Sequence, residues 1–145
     1  MREWVFRGFD AVGDKGWVYG DLTHNQKVTE TGLVSRVMVD GYEVVPESVG
    51  LSIGIKDKEG NAIYDGDIIY IEFIDGSHGH YIVGWNDEIP GFGLMDSYSY
   101  RSIEEGYDYA IFNPWLLRNM RNESIIFKVV DSLFTGKELL QKDYE

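Results

Sequence analysis

Asp40-Gly41 stands between two β-prone runs, Arg36-Val37-Met38-Val39 and Tyr42-Glu43-Val44-Val45. Both members of an Asp-Gly pair tolerate positive φ. A type I′ turn demands positive φ at both places, and its twist matches that of the strands it joins. The chain is thereby committed to an antiparallel hairpin at this point. Pro46 ends the second strand, because proline has no N–H to give to a ladder. The same punctuation recurs along the chain, where 17 glycines against 3 prolines separate short runs rich in Val, Ile, Tyr, Phe and Trp.

Trp4 to Phe9 and Gly16 to Gly20 read as strands, with Asp14-Lys15-Gly16 turning into the second. Thr23 to Ser35 is polar and without clear period, and is expected as a loop. Val49 to Ile55 reads as a strand, followed by a polar turn from Lys56 to Asn61. Ala62-Ile63-Tyr64 then leads through Asp65-Gly66-Asp67 into Ile68 to Ile74. Period-two spacing puts Ile69, Ile71 and Phe73 on a buried face, and leaves Ile68, Tyr70, Glu72 and Ile74 on a half-wet one. After a loop from Asp75 to Gly79, Tyr81, Val83 and Trp85 alternate with His80, Ile82 and Gly84. Asn86 to Pro90 turns the chain, and Phe92 to Met95 pairs back.

Asp96 to Asp108, rich in Tyr, Ser, Gly and acid, is expected as a long surface excursion. Asn113-Pro114 marks a helix start, with Asn as cap and Pro at the first helical position, and Trp115 to Met120 continues it. Ile125 to Val130 reads as a last strand, and Gly136 to Leu140 as a short terminal helix. Many short strands with one or two short helices give a mainly β chain, a small barrel or roll with additions. Its 145 residues fit one domain. A break near Pro46 to Ser48 would divide it into an N-terminal β lobe, 1–48, and a barrel lobe, 49–145.

The chain has no cysteine, so disulfides, thiolate metal sites and cysteine nucleophiles are excluded. Its net charge of −12, from 25 acidic and 13 basic residues, is the opposite of what phosphate contacts require and argues against general nucleic-acid binding. Met1-Arg2-Glu3-Trp4-Val5-Phe6-Arg7 lacks the apolar run of a signal peptide, and no window nears the ~18 apolar residues of a membrane helix. The cytoplasm is therefore the expected compartment. Gly91-Phe92-Gly93 lacks the remaining glycine and the helix of a dinucleotide fingerprint, and no cofactor is expected.

Asp65-Gly66-Asp67 reads first as a turn device, in which Asp side chains bond nearby N–H groups and Gly66 takes positive φ. The functional alternative is a carboxylate pair, with Asp57 as third ligand, for magnesium or calcium. His78 and His80 stand two apart, where they reach one metal from a loop or share a face on a strand, with His24 remote. Asp75, Ser77 and His78 hold the atoms of a hydrolytic triad, but such near neighbours do not reach triad geometry. Tyr98, Tyr100, Tyr107 and Tyr109 form a tyrosine-rich stretch suited to a protein interface, since exposed tyrosines often anchor one. Arg118, Arg121 and Lys128 make the best basic cluster, and a solvated helix face explains them.

Several of these pieces together resemble the YopX family of phage and prophage proteins. Met1 to Asp10 is similar to the family's opening, MREIKFRAWD, and Tyr19-Gly20-Asp21-Leu22 to its next landmark. The densest likeness runs through Val45-Pro46-Glu47-Ser48-Val49-Gly50 and then from Gly54 to Ile68, similar to PETVGQ and TGLKDKNGKEIYEGDIV. Tyr81 to Asn86, Phe92-Gly93-Leu94, and Phe127-Lys128-Val129-Val130 through Leu140 carry it further. Ile53-Gly54 stands where the family usually has Thr-Gly, and Asp131-Ser132-Leu133 where it has Gly-Asn-Ile. The resemblance implies an SH3-like barrel from about Ile63 onward, and a phage or prophage accessory protein. It carries no catalytic residues with it.

The expected role is that of a non-enzymatic protein-interaction module, binding an unidentified host or phage protein, with homo-oligomers a related expectation. The alternatives are a single-stranded nucleic-acid-binding protein and a metal-dependent hydrolase using Asp65, Asp67, His78 or His80.

Overall fold

The computed structural model describes residues 4–106 and 111–144. The chain divides into two compact units, Met1–Gly54 and Ile55–Glu145.

In the first unit, β1 (Phe6–Phe9) pairs antiparallel with β2 (Trp17–Gly20) on one side and with β6 (Gly50–Lys56), which runs across the boundary, on the other. A second sheet has the order β3 (Leu22–Thr29), β4 (Gly32–Val39), β5 (Tyr42–Glu43), and Pro46–Ser48 forms a 3-10 turn. Asp40 and Gly41 both take positive φ, 51° and 79°, as a type I′ turn between β4 and β5 requires. The stretch from Thr23 to Ser35 is not the expected loop. It is the hairpin β3–β4, paired without a break from Leu22–Val39 to Thr29–Gly32. Residues 23–28 and 30–35 are exposed throughout, so neither strand has a dry face to impose alternation. The turn carries the specification instead, because Thr29 Oγ1 accepts from Thr31 N and donates to Gly32 O at 2.8 Å. The core of this unit is Val18, Val39 and Val44, with Phe6, Leu22, Val37 and Val49 packed around them.

The second unit contains β7 (Ala62–Tyr64) and an antiparallel sheet of order β10 (Gly91–Asp96), β9 (His78–Asn86), β8 (Asp67–Glu72), β11 (Ile126–Ser132). This order is open, so of the expected barrel or roll a closed barrel does not form among the described residues. Each outer edge is occupied by a loop instead. Leu94 of β10 exchanges both backbone hydrogen bonds with Asn113, and Phe127 O of β11 accepts from Lys58 N at 3.0 Å. Covered edges are protected from pairing with other chains.

Ile68, Ile69 and Ile71 of β8 are all fully buried, while Tyr70 and Glu72 on the face of Ile68 are half-buried, so that face is half-wet as expected and dry only at Ile68. Ile68 packs with Ile82 and Leu140 under Tyr100, Phe112, Leu133 and Leu139, which arrive from later in the chain. Phe73, expected inside, lies beyond the strand and is only half-buried.

Among the described residues three α-helices stand where one or two were expected. The additional one, α1 (Ser97–Glu104), lies inside the expected surface excursion. Asp96 starts it, accepting from Ser99 N at 2.7 Å and from Ser99 Oγ at 3.1 Å. The expected α2 (Pro114–Glu123) is capped by Asn113, whose Oδ1 accepts from Trp115 N at 2.9 Å. The terminal helix is split, with α3 (Leu133–Gly136) followed by 3-10 turns over Lys137–Tyr144. No helix among the described residues is long and apolar enough to cross a membrane.

Candidate functional sites

Asp65-Gly66-Asp67 forms the turn between β7 and β8. Asp67 is fully buried, and its Oδ2 accepts from Tyr64 N at 2.7 Å. Gly66 takes φ +89°, its N–H donates to Val83 O at 2.9 Å, and its carbonyl accepts from Leu133 N at 2.8 Å. Four elements are thus tied at one turn, which is what a structural motif would do.

Asp57 is tied as fully. Its Oδ1 accepts from Glu59 N at 2.9 Å and Asn61 N at 2.8 Å, and its Oδ2 from Val129 N at 3.0 Å and Asn61 Nδ2 at 3.2 Å. Burial pushes its carboxyl up, but the hydrogen bonds from Val129, Asn61 and Glu59 outweigh it and hold the group below its ordinary value. Asp57 therefore fastens the turn before β7 to the outer edge of β11. Asp75 does the same on a small scale, accepting from Ser77 N at 2.9 Å and Ser77 Oγ at 2.6 Å. Those two hydrogen bonds, from the side chain and then the backbone of Ser77, lower its pKa.

His78 and His80 lie on β9, so the expected loop is shorter than Asp75 to Gly79. They share a face and flank Tyr70 on β8, with ring centroids 5.9 and 5.5 Å from its own. Among the described residues no three His, Asp or Glu side chains converge as a metal site would need.

The tyrosine stretch separates. Tyr98 on α1 is 63% exposed. Tyr100 turns inward against the cluster of Ile68, Ile82 and Leu140. Burial, then the Glu104 carboxylate beside its hydroxyl, pushes its pKa up to about 12. Glu104 is held below its usual range by a hydrogen bond from Lys137 Nζ at 2.6 Å. Tyr107 and Tyr109 lie outside the described residues.

The basic cluster also divides. Arg121 Nε donates to Lys56 O at 2.7 Å, Lys128 is half-buried on β11, and the Arg118 guanidinium lies 5.9 Å from the Trp115 ring centroid. This last pair escaped the sequence. Trp115 and Arg118 are i and i+3 on α2, with Leu117 as the buried residue of that helix, so helical period applied from the Asn113 cap would have put them outward together. Trp115 is 63% exposed. A further exposed ring is Trp85 of β9, which stands edge to face at 5.1 Å against the half-buried Phe92 of β10.

No curated protein matches the chain. The family model described as YopX protein matches residues 5–110. That span takes in the opening from Val5 onward and the dense central likeness, and leaves the similarity at 127–140 outside it.

Proposed function

The chain belongs to the YopX family, and on that premise we propose that it is a phage or prophage accessory protein that binds another protein in the host cytoplasm and performs no catalysis of its own. The observation that carries this is Trp115 with Arg118. A large ring stands open on a capped helix, with a guanidinium already over it. Tryptophan and arginine are the residue types most often found at the centres of protein interfaces, and a pre-arranged pair has less side-chain entropy to lose on binding. Tyr98 is a second exposed anchor in the same unit. The five short strands β7 to β11 support reading that unit as a derivative of an SH3-like barrel.

The test is affinity purification of the tagged chain from host cells, split into nuclease-treated and untreated halves. A specific protein should survive nuclease and be lost when Trp115→Ala and Arg118→Ala are combined, since truncation of an anchor costs about 2 kcal/mol or more of binding. Recovery that vanishes with nuclease would replace this proposal with the single-stranded nucleic-acid alternative.

A further inference from the structure

Three of the 13 lysines and arginines in this acidic chain, Lys15, Lys27 and Arg36, line one cleft in the first unit. We propose that this cleft is a small-ligand site for a phosphate ester carrying a flat ring, of which a nucleoside monophosphate is the simplest. The cleft is open to solvent and offers about 530 Å³, within the roughly 300–1,000 Å³ typical of small-molecule sites. The inference is independent of the protein-binding proposal, whose residues lie in the second unit.

One wall is the β3–β4–β5 sheet. Register puts Arg36 opposite Asn25 and Met38 opposite Glu43, so Lys27, Arg36, Met38 and Glu43 share a face. The other wall is the loop from Asp10 to Lys15. Asp10 Oδ1 accepts the N–H of Val12 and of Gly13, both at 3.1 Å, and Oδ2 accepts that of Lys15 at 3.3 Å. Ala11 N donates to Glu43 O at 2.9 Å, which ties the loop to β5. Both walls are held before any ligand arrives, so little ordering is left to oppose binding.

The charges favour a small anion over a long one. Lys15, Lys27 and Arg36 face Asp10, Asp14 and Glu43, so the lining is balanced. The Asp10 carboxylate is engaged by its own loop. Glu43 Oε1 lies 3.5 Å from Lys27 Nζ and 3.8 Å from an Arg36 terminal nitrogen. Both exceed the ~2.7–2.9 Å of a closed charge-assisted hydrogen bond, so donors on the two cations stay open to another acceptor. Arg36 Nε donates to Asn25 Oδ1, which aims the guanidinium fork. A phosphate has the oxygens to accept from Arg36 and Lys27 together. A polyanion such as nucleic acid would meet the remaining acidic surface. For the ring, Tyr42 is 38% exposed at the cleft, with Lys15 Nζ 5.8 Å from its centroid. Met38 adds an apolar wall.

The experiment is a nitrogen–proton correlation NMR titration of the full chain at low salt, with AMP, adenosine and inorganic phosphate as separate probes. AMP should saturably shift the Arg36 Nε–H signal and the amides of Val12, Gly13 and Lys15. Phosphate should move the same signals with at least about ten-fold weaker affinity, and adenosine should leave them still. Combining Lys27→Met with Arg36→Gln should weaken AMP about ten-fold or more. Tyr42→Leu should weaken AMP and leave phosphate unchanged. Should the double variant fail to fold, Arg36→Lys keeps the charge, loses the aimed fork and should still weaken AMP. The proposal is overturned by no saturable AMP shift, by equal affinity for AMP and phosphate, or by AMP binding that survives loss of both cations.

Discussion

The first unit closes its core on Val18, Val39 and Val44, whereas the second shuts Ile63, Ile68, Ile69, Ile71, Ile82, Leu94 and Phe127 fully away from water. The contrast extends to single strands. β8 has dry residues on both faces, while the hairpin β3–β4 exposes both faces over most of its length, with Val28 83% exposed. The second unit thus draws its stability from apolar burial, which scales with area removed from water. In the first, backbone ladders and turn chemistry must carry a larger share: the type I′ turn at Asp40-Gly41, the Thr29 turn, and the carboxylate of Asp10 holding three N–H groups.

Phe127→Ala should show the contrast at its largest. The ring is fully buried in β11, and such truncations cost about 3–5 kcal/mol. Val39→Ala in the first unit removes less volume and should cost about 2 kcal/mol. Urea unfolding of both variants measures the two losses. Equal losses would break the distinction between a burial-rich unit and a burial-poor one.

Asp57→Ala comes next. It strips the acceptors from four N–H donors around a buried carboxylate and should cost about 2–3 kcal/mol. It also carries a pH signature. The folded pKa of Asp57 lies below its unfolded value, about 3.8. Its contribution is therefore fully present above that value and is lost as pH falls through the folded pKa. Acid titration of the wild type should show destabilisation beginning near pH 4 that is shallower in Asp57→Ala. An unchanged acid limb would mean that hydrogen bonds to Asp57 do not hold the second unit.

Gly84→Ala and Gly8→Ala test packing against the backbone in each unit. A Cβ on Gly84 would enter the Phe112 ring, and one on Gly8 would sit 2.7 Å from Val44. Each should cost about 1–3 kcal/mol by overpacking. The added Cβ comes closer to the Phe112 ring at Gly84 than to Val44 at Gly8, so Gly84 should be the costlier position. A reversed order in chemical denaturation would sharpen the comparison by showing the smaller core to be the tighter one.

What the sequence disclosed follows from how local each cause is. Asp40-Gly41 and Asp65-Gly66-Asp67 are turns whose geometry resides in the residues themselves, and both were legible. Ile69 and Ile71 were legible because their face is dry. The burial of Ile68 was not, because Leu133, Leu139 and Leu140 cover it from more than sixty residues away. Helix α1 was hidden because its polar residues lack an apolar stripe, and its Asp96 cap looks like any loop acid. The inward turn of Tyr100 depends on those same late residues. The first-unit cleft was invisible for a compound reason: Lys15, Lys27 and Arg36 are far apart in sequence, and the hairpin that unites the last two reads as a loop.

The smallest expected effect lies on that hairpin. Val28→Thr keeps β-branching, and so keeps strand propensity, while replacing a methyl group with a hydroxyl at a position already in water. Its effect on stability should fall within about 0.5 kcal/mol of zero. Amide exchange should agree, with the protection of β3 and β4 falling below that of β8 and β9, because exposed ladders open by local fluctuation. A loss above about 1 kcal/mol from Val28→Thr would require the valine to be buried in solution. For a side chain this open in the single chain, that burial would have to come from a second molecule, and the mass of the protein in solution would show it as a concentration-dependent dimer.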